Sequence, residues 1–121
     1  MTARQELGAF GERLAVARLE AEGMTIIAQN VRTKAGEIDI VAQDGWDVVF
    51  VEVRTRRGAP GASGESLTAQ KITRMWQCAL EYCEREEIPP VRARVDAVLV
   101  ELEAGGRVVS IDYIKALEVP D

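Results

Sequence analysis

The sequence predicts an α/β fold in which two helices accompany five short strands, in the order αβββαββ. Three observations predict it. Apolar residues recur at helical spacing in two segments, residues 3–22 and a stretch ending near Glu86. Five other segments carry apolar residues over strand lengths, rich in Val and Ile. Turn residues punctuate them at Gly36, Gly45 and Gly105-Gly106. There is no internal repeat and no composition break, so residues 1–121 read as one domain.

The first helix carries Leu7, Phe10, Leu14 and Ala17 on its apolar face, and Gly23 stops it. Glu12 falls beside Gly8 and Leu19 at the border of that face, where a carboxylate is half-buried. A first strand runs from Thr25 to Arg32 with Ile26, Ile27 and Val31, and Lys34-Ala35-Gly36 turns it back. Strands from Glu37 to Gln43 and from Val48 to Thr55 follow, joined by Asp44-Gly45-Trp46-Asp47. Gly45 in the first central position suits a type II′ hairpin turn. Residues 57–65, rich in Gly, Ala, Pro and Ser, read as a mobile loop. Ser66 or Thr68 caps the second helix, whose core stripe is Ile72, Met75, Trp76, Ala79, Leu80 and Cys83. Pro89-Pro90 forbids its continuation. Arg94 to Leu102 is an apolar strand expected inside the sheet, and Arg107 to Ile114 is the last strand.

Composition excludes several chemistries. The chain has no histidine, which removes His-based acid–base catalysis, Ser-His-Asp triads and the commonest zinc ligand. Cys78 and Cys83 lie on different faces of a helix, which argues against a disulfide and against a zinc set. Any hydrolytic chemistry must rest on carboxylates, Lys or Arg, and hard, oxygen-loving metals. The net charge of −5 is not that of a protein that coats nucleic acid. Its distribution is uneven, with Arg54, Arg56 and Arg57 in one cluster and Arg92 and Arg94 in another. No apolar run reaches membrane-span length and no apolar leader opens the chain, so the expected location is the cytoplasm.

The hairpin carries the candidate chemistry. With Asp44 opposite Asp47, strand register sets Asp39 opposite Glu52 and Glu37 opposite Arg54, all on one face. Facing carboxylates repel. The pair can instead share a divalent metal ion, which polarises a phosphate and activates water. On alternation alone, a solvated polar hairpin face is the favoured account of these residues, with Arg54 salt-bridged to Glu37. Arg54 can stabilise developing charge but is a poor proton shuttle. Glu12 is a candidate third ligand, and Gln70 and Lys71 open the second helix within reach of a phosphate. Trp46 and Trp76 read as structural.

Taken together, Gly11-Glu12, Asn30-Val31-Arg32, Gly36-Glu37-Ile38-Asp39-Ile40-Val41, Phe50-Val51-Glu52-Val53-Arg54, Lys71 and Arg94-Val95-Asp96 resemble the YraN-type family of uncharacterised bacterial proteins. That family is similar to archaeal Holliday-junction resolvases and to the restriction-endonuclease-like superfamily. The resemblance covers nearly the whole chain. It implies an α/β/α core around a five-stranded mixed sheet, a single nuclease-like domain and a PD-(D/E)xK-type site. Carried over by position, Asp39 and Glu52 become metal ligands and Glu12 an accessory helix carboxylate. Arg54 stands where the motif usually has lysine, and Lys71 approaches from the second helix. The expected activity is a Mg²⁺- or Mn²⁺-dependent endonuclease acting on DNA, including branched or structured DNA. Arg56, Arg57, Lys71 and Arg74 would contact backbone phosphates. The Arg54 departure motivates an alternative, a nucleic-acid-binding module that keeps the nuclease fold. A homodimer fits either expectation.

Overall fold

The computed structural model describes residues 2–58 and 67–119. Helix α1 spans Ala3–Ala21 and is closed at both ends by its own sequence. Thr2 and Gln5 form a reciprocal capping box at the N-terminus. At the C-terminus the Gly23 N–H donates to Glu20 O and the Met24 N–H to Leu19 O, a Schellman closure that needs the positive φ of Gly23. The buried line of α1 is Gly11, Ala15 and Leu19. Leu7, Phe10 and Leu14 flank it, while Ala17, expected on the apolar face, is exposed.

Strands β1 (Thr25–Arg32), β2 (Glu37–Asp44) and β3 (Asp47–Arg57) form an antiparallel meander. Helix α2 (Ala69–Arg85) then crosses over, and after a short 3₁₀ turn at Pro90–Arg92, β4 (Ala93–Leu102) returns parallel to β3. Strand β5 (Val108–Ile114) pairs antiparallel with β4. The sheet is mixed, with spatial order β1-β2-β3-β4-β5. This is the α/β architecture and element order predicted from the sequence. The Gly45 φ of +62° with a two-residue loop meets the requirement of a type II′ turn, and Asp44 pairs with Asp47 as expected.

One helix covers each face. Ala15 and Leu19 of α1 pack on Ile40, Ala42, Val49, Val51, Val98 and Val100. Met75, Cys78, Ala79, Tyr82 and Cys83 of α2 pack on Ile38, Val41, Val48, Phe50 and Val95. Thr68 caps α2 by accepting from the Lys71 N–H. The α2 stripe is rotated from its expected position: Cys78 and Tyr82 are buried and Leu80 is exposed. Both cysteines are free thiols in this layer. Ile27 is exposed too, because a register shift between Ile26 and Ala28 turns it outward. The loop expected over 57–65 and the alternative cap Ser66 lie, apart from Arg57 and Gly58, outside the described residues. No helix among the described residues is long and apolar enough to cross a membrane.

Candidate active site

The site lies in a fork of the sheet. The β2–β3 ladder runs from Asp44–Asp47 to Ile40–Val51 and stops there. Below it, β2 stays with β1 through Ile38 and Glu37, while β3 stays with β4 from Glu52 to Arg57. Side-chain alternation in β2 also breaks at this point. Ile38 packs under α2 with Val41, whereas Ile40 and Ala42 pack under α1. Asp39 occupies the break. Its Oδ2 accepts the Val53 N–H at 2.8 Å, so a carboxylate replaces the missing ladder partner.

Consequently, Asp39 and Glu52 do not form the ladder pair expected from the hairpin, although the two carboxyls are close. Burial, then the Glu52 charge, pushes the Asp39 carboxyl up to about 8, and the Val53 N–H only partly offsets this. Protonated Asp39 is placed to donate to Glu52. The expected Arg54–Glu37 salt bridge is absent. Arg54 instead binds the neighbouring Glu52, with Nη2 to Oε2 at 2.9 Å. Once the strands part, Glu37 no longer faces Arg54, and the closer carboxylate takes the guanidinium. The Arg54 Nε is buried and has no acceptor among the described residues.

Glu12 reaches the fork because α1 crosses β3 without a side chain between them. A Cβ at Gly11 would overlap Oγ1 of Thr55. Glu12 is half-buried, and its carboxyl is raised by burial and then by Glu37. Asn30 moderates this repulsion. With its amide nitrogen facing the two acids, it donates to Glu12 Oε1 at 3.0 Å and to Glu37 Oε1 at 3.1 Å. Asn30 has a φ of +53°, a conformation that Asn tolerates better than most residues. It is a site residue that sequence reasoning did not single out, and the sequence signal for it was only its place in a motif.

Arg4, Glu12, Asp39, Arg54, Arg56, Arg57 and Lys71 line one open cleft over the fork. Lys71 is shifted below the ordinary lysine value, first by Arg54 and then by desolvation and Arg56. Cations are thus crowded together beside the acids. Arg74 lies next to this cleft, in an adjoining groove that shares Lys71. The second basic cluster inferred from the sequence is not a free surface. Arg94 is bound to Asp44, Asp47 and Asp96, and Arg92 to the Trp46 carbonyl. Asp96 is fully buried and also receives the Tyr113 hydroxyl at 2.5 Å and the Ala116 N–H at 3.0 Å.

The donor set is chemically suited to a hard divalent cation, since it is all oxygen and carries a carboxyl that burial, and then the Glu52 charge, disfavours as a free anion. The fit is that of a two-carboxylate site. Among the described residues no group of three or more Asp, Glu, Cys or His is gathered closely enough to hold a metal. Glu12 stands at the cleft wall rather than in a closed ligand shell.

Comparison with known proteins places the chain. The model of a family described as "Uncharacterised protein family UPF0102" matches residues 11–100, which takes in Glu12, Asp39, Glu52 and Asp96. A UPF0102 protein of Symbiobacterium thermophilum is 46% identical over 104 residues, covering 85% of this chain and 88% of its own length. One from Chloroflexus aurantiacus is 40% identical over 116 residues, covering 95% and 94%. Among solved structures, the chain is similar to SfsA of Pyrococcus furiosus in complex with Ca²⁺, at 17% identity and a TM-score of 0.40, over 98% of this chain and 65% of that one. By the family match and by these relatives, the chain belongs to the uncharacterised protein family UPF0102.

Proposed function

We propose that this protein is a Mg²⁺- or Mn²⁺-dependent phosphodiesterase of the endonuclease type that acts on DNA. The observation that carries the reading is the fork itself. A carboxyl raised to about 8 beside Glu52 opens into a cleft lined by cations. Such a carboxyl favours a proton or a metal over the free anion. Asp39 and Glu52 would hold the ion, which supplies Lewis acidity toward a phosphate oxygen. The Val53 N–H fixes the Asp39 carboxylate in place. Arg54, with its unpartnered buried Nε, would donate to a phosphate oxygen and stabilise developing charge. Glu12, raised by burial, would hold or take a proton at the wall of the cleft. Arg56, Arg57, Lys71 and Arg74 would contact backbone phosphates without reading sequence.

The test is cleavage of duplex, single-stranded and four-way-junction DNA with Mg²⁺ or Mn²⁺, alongside calorimetric metal titration. Cleavage lost in Asp39→Asn and Glu52→Gln supports the reading. No cleavage of any substrate, together with no metal binding, overturns it.

One observation favours a second reading, a nucleic-acid-binding module on a nuclease fold. The Arg54–Glu52 ion pair at 2.9 Å neutralises one of the two ligands that a metal needs. This reading predicts salt-sensitive DNA binding that survives Glu52→Ala. Arg54→Lys separates the two. Activity gained on this change marks a weakened nuclease, whereas activity lost marks an arginine that works as it stands.

A further inference from the structure

The cleft does not end at Lys71. On the far side of this lysine a second open groove runs between the first turns of α2 and the β1–β2 turn, lined by Ala35, Thr68, Gln70, Lys71, Thr73, Arg74 and Gln77. No carboxylate is among the described lining residues. They offer two cations, two amide side chains and the Thr68 hydroxyl, while the Thr73 hydroxyl is donated to the Ala69 carbonyl at 2.9 Å, which is a lining for a polyanion that is held but not read. The walls are firm. Glu81 of α2 accepts the Lys34 N–H at 2.8 and 3.1 Å and so ties the turn to the helix. Thr33 and Gly36 close the turn on each other through both side chain and backbone. Gly36 lies against Arg74 and Cys78, with an added Cβ only 3.6 Å from each.

The distribution of unpaired charge points the same way. Arg18, Arg54, Arg85, Arg94 and Arg107 are all engaged in ion pairs. Arg56, Lys71 and Arg74 have no ion-pair partner among the described residues, and Lys71, on the ridge between cleft and groove, is repelled by both arginines, which the Glu52 charge only partly offsets. Like charges gathered without partners are stabilised by an anion that spans them.

We propose that this groove is a second phosphate subsite, occupied by a nucleotide flanking the one in the cleft. The bound polynucleotide strand passes over Lys71 and continues along α2 toward the β1–β2 turn. Arg74 holds its phosphate by charge, and the Gln70 and Gln77 amides hold it by neutral hydrogen bonds. The proposal rests on the nucleic-acid reading of the cleft but not on its catalysis.

The test is binding of fluorescent oligothymidine in metal-free, chelator-containing buffer, comparing a dinucleotide with a strand of roughly 12 nucleotides, a usual site size for single-strand binders. Wild type should bind the longer strand more tightly, and the gain should fall with salt. Arg74→Gln should lower the salt slope for the longer strand by about 0.7, the value of one phosphate contact on a single strand. Gln77→Glu, which adds a negative charge at the end of the groove, should collapse the long-to-short affinity ratio. Both positions are exposed, so the fold tolerates them, and circular dichroism checks this. An unchanged slope and ratio in both variants overturns the proposal, as does a wild type that binds no oligonucleotide at low salt. Cleavage assays with Mg²⁺ on the same proteins separate the two ideas. Arg74-dependent binding without cleavage retains the subsite and removes the nuclease reading. Cleavage without Arg74-dependent binding does the reverse.

Discussion

Asp39 concentrates the chemistry of the molecule in one side chain. Its carboxyl is raised from 3.8 to about 8, so between these values the folded protein holds a proton that the unfolded chain has released. Stability from this group is therefore full below about pH 4 and is lost as pH rises through about 8. Urea midpoints measured from pH 5 to pH 9 should fall with rising pH, and Asp39→Asn should flatten this decline. On the proposed function, a divalent ion would compete with the same proton. Mg²⁺ or Mn²⁺ should accordingly stabilise the protein more at pH 8 than at pH 6, and chelation should cancel that gain. Thermal unfolding with and without metal checks the sign. Asp39 was legible in the sequence as a candidate, because it shares a hairpin with Glu52. Its raised carboxyl was not, since burial and the approach of Glu52 depend on where β2 and β3 part.

At the scale of elements, the crossing of α1 over β3 is what delivers Glu12. Gly11→Ala would drive a methyl into Thr55 and push the helix off the sheet. The expected cost is about 1–3 kcal/mol, typical of overpacking. Thr55→Ala in the same chain should recover part of it, because it removes the overlapping hydroxyl. A double-mutant cycle by chemical denaturation reads this coupling. Helix capping works more locally, and Thr2→Ala should cost about 1 kcal/mol through loss of the capping box. Both helices and all five strands were readable from apolar spacing, turn glycines and Pro89-Pro90. The errors lay in rotation. Leu80 was placed inward and Tyr82 was overlooked, because two neighbouring stripes on one helix are equally apolar and only the sheet beneath selects between them.

Across the whole molecule, one buried polar network ties distant parts together. Arg94 joins β4 to both ends of the β2–β3 turn at Asp44 and Asp47, and it shares Asp96 with Tyr113 of β5 and the Ala116 N–H beyond β5. Burial, then the Asp96 hydrogen bond, raises the Tyr113 hydroxyl above its ordinary range and keeps it a donor. Arg94→Leu would strand Asp96 as an unpaired buried charge. The expected loss is about 3–5 kcal/mol in denaturant unfolding. Tyr113→Phe, which leaves the ion pair intact, should cost much less. Since the network lies in the α1-side layer and along the hairpin tip, Tyr113→Phe should leave the proposed metal binding at the fork unaltered by calorimetry.

The sequence by itself determined the element order, the hairpin register down to Ile40–Val51, and the carboxylates and cations available for chemistry. These follow from local rules of periodicity, turn geometry and capping. Only the tertiary structure decided that the hairpin opens below Ile40, that Asp39 takes the Val53 N–H, and that Arg54 turns to Glu52 rather than to Glu37. It also decided that Arg94 is structural and that Lys71 bridges two grooves. The physical reason is that ladder length, burial and charge pairing depend on partners brought in from far along the chain. On its other edge β3 stays paired with β4, far apart in the chain, from Val48 to Arg57, so it remains in the sheet where β2 leaves it below Val51 and the fork brings the acids together.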